Sequence, residues 1–272
     1  MPEQRPAAPG TGARLEIGQE VARRRAFVWA LDWPGWCRAG KDAGLAVEAL
    51  LAARPRYALV AARAGLVLPE GSADDVSPVD SVQGGGGTEF GVPSAIVASD
   101  RLPVSGDEAD RLGNLVEAAW KVFDWIAADA SPTLRKGPRG GGRDTARVVE
   151  HVIEADRAYA REIGLHRPAA AVDAPDAAAK HDATDQHNAP DERKAAAERN
   201  AAAERNPADE SNPADERNAV AAERAAMLEL LRRPSDGSPL AGRSWPLRYA
   251  ARRIAWHVLD HAWEIEDRDE SS

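Results

Sequence analysis

LRYAARRIAWHVLDHAWEIEDR, residues 247–268, decides how the rest of this chain is read. Leu247, Ala250, Ile254, Val258 and Ile265 recur at helical spacing and form one apolar stripe. Ser244 and Pro246 just upstream are start signals for such a helix. Trp245, Tyr249, Trp256 and Trp263 recur on the opposite side, so the helix is expected to be buried on two faces. Packing accounts for these aromatics better than ligand stacking does. The second face has two candidate covers: the amino-terminal part of the chain, or a second copy in a homodimer.

The same stretch carries His257 and His261. A spacing of four places both imidazoles on one side of a helix, about 6 Å apart along its axis. On a helical wheel His261 falls inside the apolar stripe and His257 at its edge. Histidines turned toward a core point to a divalent metal, although ordinary packed histidines fit the same spacing. His151 is the only other histidine in a strong helical pattern, and it too lies at a stripe edge. Three histidines would form a site with a fourth position open to water or substrate.

Other metal and nucleotide chemistries fail on sequence. Val258 stands where a zinc protease needs Glu after its first histidine. Val148, Ile254 and Val258 stand three residues before the three histidines, where di-iron bundles carry Glu. No phosphate-binding Gly-x-x-x-x-Gly-Lys-Ser/Thr motif is present. Cys37 has no metal or redox motif around it and is expected to be a packed or surface thiol. His166, His181 and His187 lie in or beside a polar insertion and are expected to be solvated.

Upstream, two more long helices are legible. One starts at Ser105, which has capping-box spacing with Glu108, and runs through Asp129 on Leu112, Leu115, Val116, Ala119, Phe123 and Ile126. The other starts at Asp144 and runs to about Gly164 on Val148, Val152, Ala155 and Tyr159. Between them lies the basic glycine loop RKGPRGGGRD, residues 135–144. Arg139 and Arg143 in this loop are candidates for binding a substrate carboxylate beside a helix amino terminus, although a surface connector is the simpler reading. Residues 167–216 are low-complexity, with AAAERN, AAAERN, PADESN and PADERN repeating every six residues from Ala195. That period matches neither a helix nor a heptad, and the repeats carry no large apolar residue, so a solvated insertion is expected. A further helix is expected from about Asn218 to Arg232.

Residues 15–104 read as a small α+β unit. A strand is expected over Arg25–Asp32, with Phe27, Trp29 and Leu31 on one face, followed by a turn at WPGWC, residues 33–37. Ala43–Ala64 has a helical pattern that Pro55 should interrupt. Further strands are expected near Leu66–Leu68 and Val79–Val82, and a flexible loop at Gly84–Gly87. Residues 1–14 are expected to be a disordered tail.

Composition sets outer limits. The 272 residues are 43% hydrophobic, enough for one large core or two small ones. A net charge of −9 argues against nonspecific binding to nucleic acid or anionic membrane. A single cysteine excludes an intramolecular disulfide, and no signal peptide or membrane span is evident. A soluble cytoplasmic protein is the expectation, with the Ala, Arg, Gly and Pro usage of a GC-rich bacterial genome.

The helical part, residues 105–268, resembles the DinB/YfiT-like superfamily, which includes the amino-terminal domain of thiol-dependent maleylpyruvate isomerases. The resemblance rests on His151 in EHVIEAD, residues 150–156, and on His257 and His261 in WHVLDHAWE, residues 256–264. It implies an all-α four-helix bundle after the α+β unit, with a divalent ion, zinc or nickel, held by the three histidines. It also implies a small-molecule substrate, with a low-molecular-weight thiol as cosubstrate of a transferase, isomerase or detoxifying hydrolase. The isomerases' extra carboxy-terminal domain is not expected after this last helix, which argues against their particular substrate. Glu154, Asp260 and Glu264 are candidates for orienting the histidines, although each also fits an ordinary helix-surface charge. ALDWPGWCRAGKDAGLAVEALL, residues 30–51, resembles the HicB-like antitoxin fold, which favours the alternative of a non-catalytic regulatory protein.

Overall fold

The computed structural model describes residues 14–68, 76–136, 142–165 and 212–270. The amino-terminal part is a mixed four-stranded sheet of β1 (Leu15–Val21), β2 (Ala26–Ala30), β3 (Cys37–Gly40) and β4 (Val76–Gln83), ordered β3-β2-β1-β4. β2 is antiparallel to both neighbours, whereas β1 and β4 run parallel. Pro78 is tolerated because β4 is an edge strand, where a missing N–H breaks no inner ladder. Gly18 pairs with Trp29, and a Cβ there would run into the indole, so this register needs a glycine.

Two short helices follow the sheet's first three strands, α1 (Ala43–Ala52) and α2 (Arg54–Arg63). Pro55 ends one pattern and opens the next, sitting in the first turn of α2 where its missing N–H costs nothing. The Trp33–Cys37 turn is wedged between these helices: Trp36 donates to Leu50 O at 2.8 Å and Tyr57 donates to Pro34 O at 2.8 Å. Gly35 holds φ at +90°, and a Cβ there would strike Leu259 and Ala255.

The remaining helices are α3 (Gly86–Phe90), α4 (Gly106–Asp129), α5 (Thr145–Glu162), α6 (Pro213–Leu231) and α7 (Leu247–Arg268). Ser105 caps α4 as its spacing predicts, accepting from Glu108 N–H at 3.3 Å. Asp144 occupies the cap position of α5 but does not cap it, and accepts instead from Leu134 N–H at 3.4 Å. α4 and α5 both pack against α7. Two compact units emerge, residues 1–166 with 223–272, and residues 167–222. Of the second, the structure describes Asn212–Ala222, where Asn212 Oδ1 accepts from Ala214 N–H at 3.1 Å.

Several sequence expectations need correction. Leu66–Leu68 has no strand, and Gly86 begins a short helix rather than lying in a flexible loop. β1 and β3 were not anticipated as strands, and β4 is longer than the Val79–Val82 stretch expected. α6 begins at Pro213, inside the expected insertion, because Asn212 provides a cap. Residues 1–13, His166, His181, His187, Arg139 and the hexapeptide repeats as far as position 211 lie outside the described residues. No helix among the described residues is long and apolar enough to cross a membrane.

The second face of α7 is covered by the amino-terminal unit. Phe27 meets Trp256 edge-on at 6.1 Å, and the Arg38 guanidinium lies 4.1 Å above the Trp263 ring. Trp29, Cys37 and Val97 complete this layer. β2 is therefore buried on both faces, since Ala26, Val28 and Ala30 belong to the main core. Arg252 of α7 fastens the layer. It makes two contacts with Asp100, at 2.6 and 3.3 Å, donates to Ala95 O at 3.0 Å, and stacks 4.2 Å from the Trp29 ring. Both charged side chains are almost fully buried.

A second buried ion pair ties α6 to α4 and α5. Arg224 donates to Asp156 at 3.0 Å and to Asp124 at 3.0 and 3.1 Å. Burial nevertheless lifts the Asp156 carboxyl from an ordinary 3.8 to about 6, against the pull of Arg224. Trp120 N–H helps the charged form only weakly, because it misses hydrogen-bond geometry.

Two outcomes follow. Asp100→Ala leaves the Arg252 charge buried and unpaired, and should cost about 3–5 kcal/mol in denaturant unfolding. Asp156 binds a proton more readily folded than unfolded. The stability this supplies is complete below about pH 4 and lost as pH rises through about 6. Relative to Asp156→Asn, the native chain should lose up to about 3 kcal/mol across that window, with a flat difference above it. A difference that is flat from pH 4 to 7 would refute the assignment.

Candidate metal centre

His151 lies on α5, one residue before the buried Val152, and His257 and His261 lie one turn apart on α7. Because α5 packs on α7, the three rings converge. Their centroids are 5.1 Å (His151–His257), 4.8 Å (His151–His261) and 4.6 Å (His257–His261) apart. One ring nitrogen from each lies within 4.8 Å of the others. His257 Nε2 and His151 Nε2 are 3.3 Å apart.

That last distance can be tested against a metal. Two nitrogens each about 2.0–2.1 Å from a tetrahedral ion sit roughly 3.3–3.4 Å from each other. Two neutral imidazoles at this distance either share a proton or face a cation between their lone pairs. The setting of His257 opposes a charge on its own ring. Burial, then the neighbouring His261 and His151, then the guanidiniums of Arg253 and Arg143, push its pKa from 6.5 to about 2. At neutral pH, His257 is therefore neutral, the state a metal would require of a ligand.

The burial order reverses the helical-wheel reading. His257 is 8% exposed, while His151 and His261 are partly exposed. Tyr159 stands edge-on to the His257 ring at 5.5 Å, and Trp256 packs on it at 6.1 Å, so neighbouring aromatics close over a position that the wheel puts at the stripe's edge. Solvent reaches the cluster along His151 and His261.

The outer residues divide. Glu264 Oε2 accepts from His261 Nδ1 at 2.8 Å, which leaves His261 Nε2 to face its partners. That hydrogen bond comes first among the causes holding the Glu264 carboxyl below its usual range. Arg268 donates to Glu264 at 2.7 Å and to Arg135 O at 2.8 Å, linking the carboxylate to the glycine loop. Asp260 pairs with Arg38 at 3.6 Å, across from the sheet, and Glu154 is exposed on α5. The structure thus brings Glu264 to the cluster through a hydrogen bond, whereas Asp260 acts on His261 through its charge alone. His257 Nδ1 is buried with no hydrogen-bond partner among the described residues, a departure from the usual pattern in which a ligating imidazole donates to a carboxylate or carbonyl.

Arg143, just before α5, is near enough for its charge to act on His257. Arg253, one turn before His257, was not anticipated. Its signal was available as a spacing of four residues on the same helix side. Cys37 is 1% exposed, and burial pushes its thiol pKa far up, so it is an inert core group. A cavity of about 10 Å³ beside Arg252, between Trp29, Ser99 and Arg248, has room for roughly one water and none for a substrate.

Comparison of the chain with protein-family models, curated proteins and solved structures finds no match.

The geometry makes one positional demand. Replacing Glu264 by Gln keeps the shape and removes the charge that polarises His261. In the metal-loaded protein this should weaken metal affinity about 10–100-fold with little change in thermal midpoint. An unchanged affinity in a chelator competition would reduce Glu264 to a helix-surface charge.

Proposed function

We propose that this chain binds one divalent cation, zinc or nickel, between α5 and α7 through His151, His257 and His261. The reading includes a four-helix bundle of α4, α5, α6 and α7 of the DinB/YfiT-like type, and an enzyme that uses a low-molecular-weight thiol on a small-molecule substrate. The observation that carries it is the convergence of three imidazoles from two helices, with two nitrogens 3.3 Å apart and His257 held neutral by burial.

The residues divide the work. His257 supplies the buried ligand. His151 and His261 would supply the ligands on the solvent side, from which water or substrate could approach a bound ion. Glu264 holds His261 in the tautomer that presents Nε2 inward, and Arg268 holds Glu264. Tyr159 and Trp256 keep water off the buried side. When bound, a divalent ion lowers the pKa of a thiol or water at the open position and supplies a nucleophile at neutral pH.

A non-catalytic metal-binding or regulatory protein is the alternative. One of its two motives is weakened: the second face of α7 is occupied by the chain's own sheet. The HicB-like stretch is a strand, a turn, a short strand and a helix, and it serves here to cover α7.

The test is elemental analysis of natively purified full-length protein. Near-stoichiometric zinc or nickel is expected, with His257→Ala reduced to background and still folded by circular dichroism. Metal-free native protein that also fails to take up added Zn²⁺ would sink the reading.

A further inference from the structure

Most buried or half-buried arginines among the described residues have a carboxylate. Arg224 has Asp156, Arg232 has Glu117, Arg248 has Glu108, Arg252 has Asp100 and Arg268 has Glu264. Arg253 is the exception next to the histidines. Its guanidinium lies 4.6 Å from the Trp256 ring and 5.4 Å from the Tyr159 ring, and both rings contact His257. Its Nη1 is buried with no hydrogen-bond partner among the described residues.

Aromatic faces attract the cation but offer no acceptor in the plane of its N–H groups. A buried N–H without an acceptor costs about 1–3 kcal/mol, and more on a charged group. The guanidinium's flat fork matches a carboxylate, the partner that would repay this cost most fully. Arg143 adds a second positive charge within electrostatic reach of His257 and has no carboxylate partner among the described residues. Two cations with no carboxylate partner among the described residues, beside three imidazoles, make a local positive field in a chain of net charge −9.

We propose that Arg253, with Arg143, forms a carboxylate-binding pocket beside the three-histidine cluster, so that the site takes small ligands carrying a carboxylate next to a metal-ligating atom. This rests on the metal reading above for the ligating atom, but the role of Arg253 stands on its own ring contacts and its unpartnered Nη1. The carboxylate accepts from the Arg253 fork, stays close to Arg143, and turns the rest of the ligand toward His151 and His261. Arg253 is a binding and positioning residue for that ligand.

The probe is 3-mercaptopropionate against 2-mercaptoethanol, titrated into full-length protein loaded with Co²⁺ and followed by the thiolate-to-cobalt absorption band. The carboxylated thiol should bind at least about tenfold more tightly, roughly one charge-assisted hydrogen bond's worth. Arg253→Gln and Arg143→Gln should each reduce that preference, read as the ratio of the two thiol affinities in the same cobalt-loaded variant. Equal binding of the two thiols, or a preference that survives both substitutions together, overturns the pocket. If no cobalt is taken up, the metal reading fails. The pocket is then decided by calorimetric titration with succinate, which the native chain should bind and the double variant should not. Absence of succinate binding by the native chain overturns it.

Discussion

Burial of α7 on two opposite faces is the constraint on which the rest of this structure depends. An ordinary surface helix buries one stripe and gives the other to water. Here Leu247, Ala250, Ile254, Val258 and Ile265 enter the core shared with α4 and α5, while Trp256 and Trp263 are covered by Phe27 and Arg38. A helix held on both sides cannot rotate or slide without breaking one layer. Arg252 locks this arrangement at a cost. Removing two charges from water is repaid only because Asp100, Ala95 O and the Trp29 ring all meet the guanidinium.

The long helices were legible because their cause is local and periodic. Caps and stripes in α4, α5 and α7 are visible in sequence at spacings of three and four, and their bounds agree within a residue or two. The sheet was only half legible. β2 is rich in aromatic and β-branched residues, whereas β3 is CRAG and owes its conformation to pairing with β2. LEIGQEV alternates Leu15, Ile17 and Val21, a signal that the polar Gln19 interrupts, while Glu20 falls on the other face. Glu20 is buried because Thr88 donates to it and Ala95 N–H meets it at 2.9 Å, contacts no local window can show. At the site, the three histidines and Glu264 could be named from spacing. Which imidazole is buried could not, since Tyr159 and Trp256 decide it through contacts from different directions.

Charge placement follows a similar division between what composition reveals and what packing decides. The chain is acidic overall, and acidic side chains outnumber basic ones by 44 to 35. Net charge therefore describes the surface and not the interior, where guanidiniums recur at element junctions: Arg252 against the sheet, Arg224 between helices, Arg111 against Trp33 at 4.6 Å. Arginine suits these places because its planar group can stack on a ring and donate in its plane at once. Most of these cations are paired, which is why an unpaired one beside the histidines carries information that a surface arginine would not.

The helix that joins the two layers also sets the order of the candidate site. Arg253, His257, His261, Glu264 and Arg268 are separated by four, four, three and four residues, so at about 100° per residue they share one narrow ridge. That ridge lies between the core stripe and the tryptophan face. It is the part of α7 that neither layer fully covers, and α5 meets it with His151 and Tyr159. Packing on both sides thus holds the ridge rigid while leaving its edge open. The same two layers would fix the ligand geometry to the few tenths of an ångström that a metal site needs. A change in either layer, even one distant from the imidazoles such as loss of the Asp100–Arg252 pair, should therefore be felt at His257 and His261 through the pose of α7.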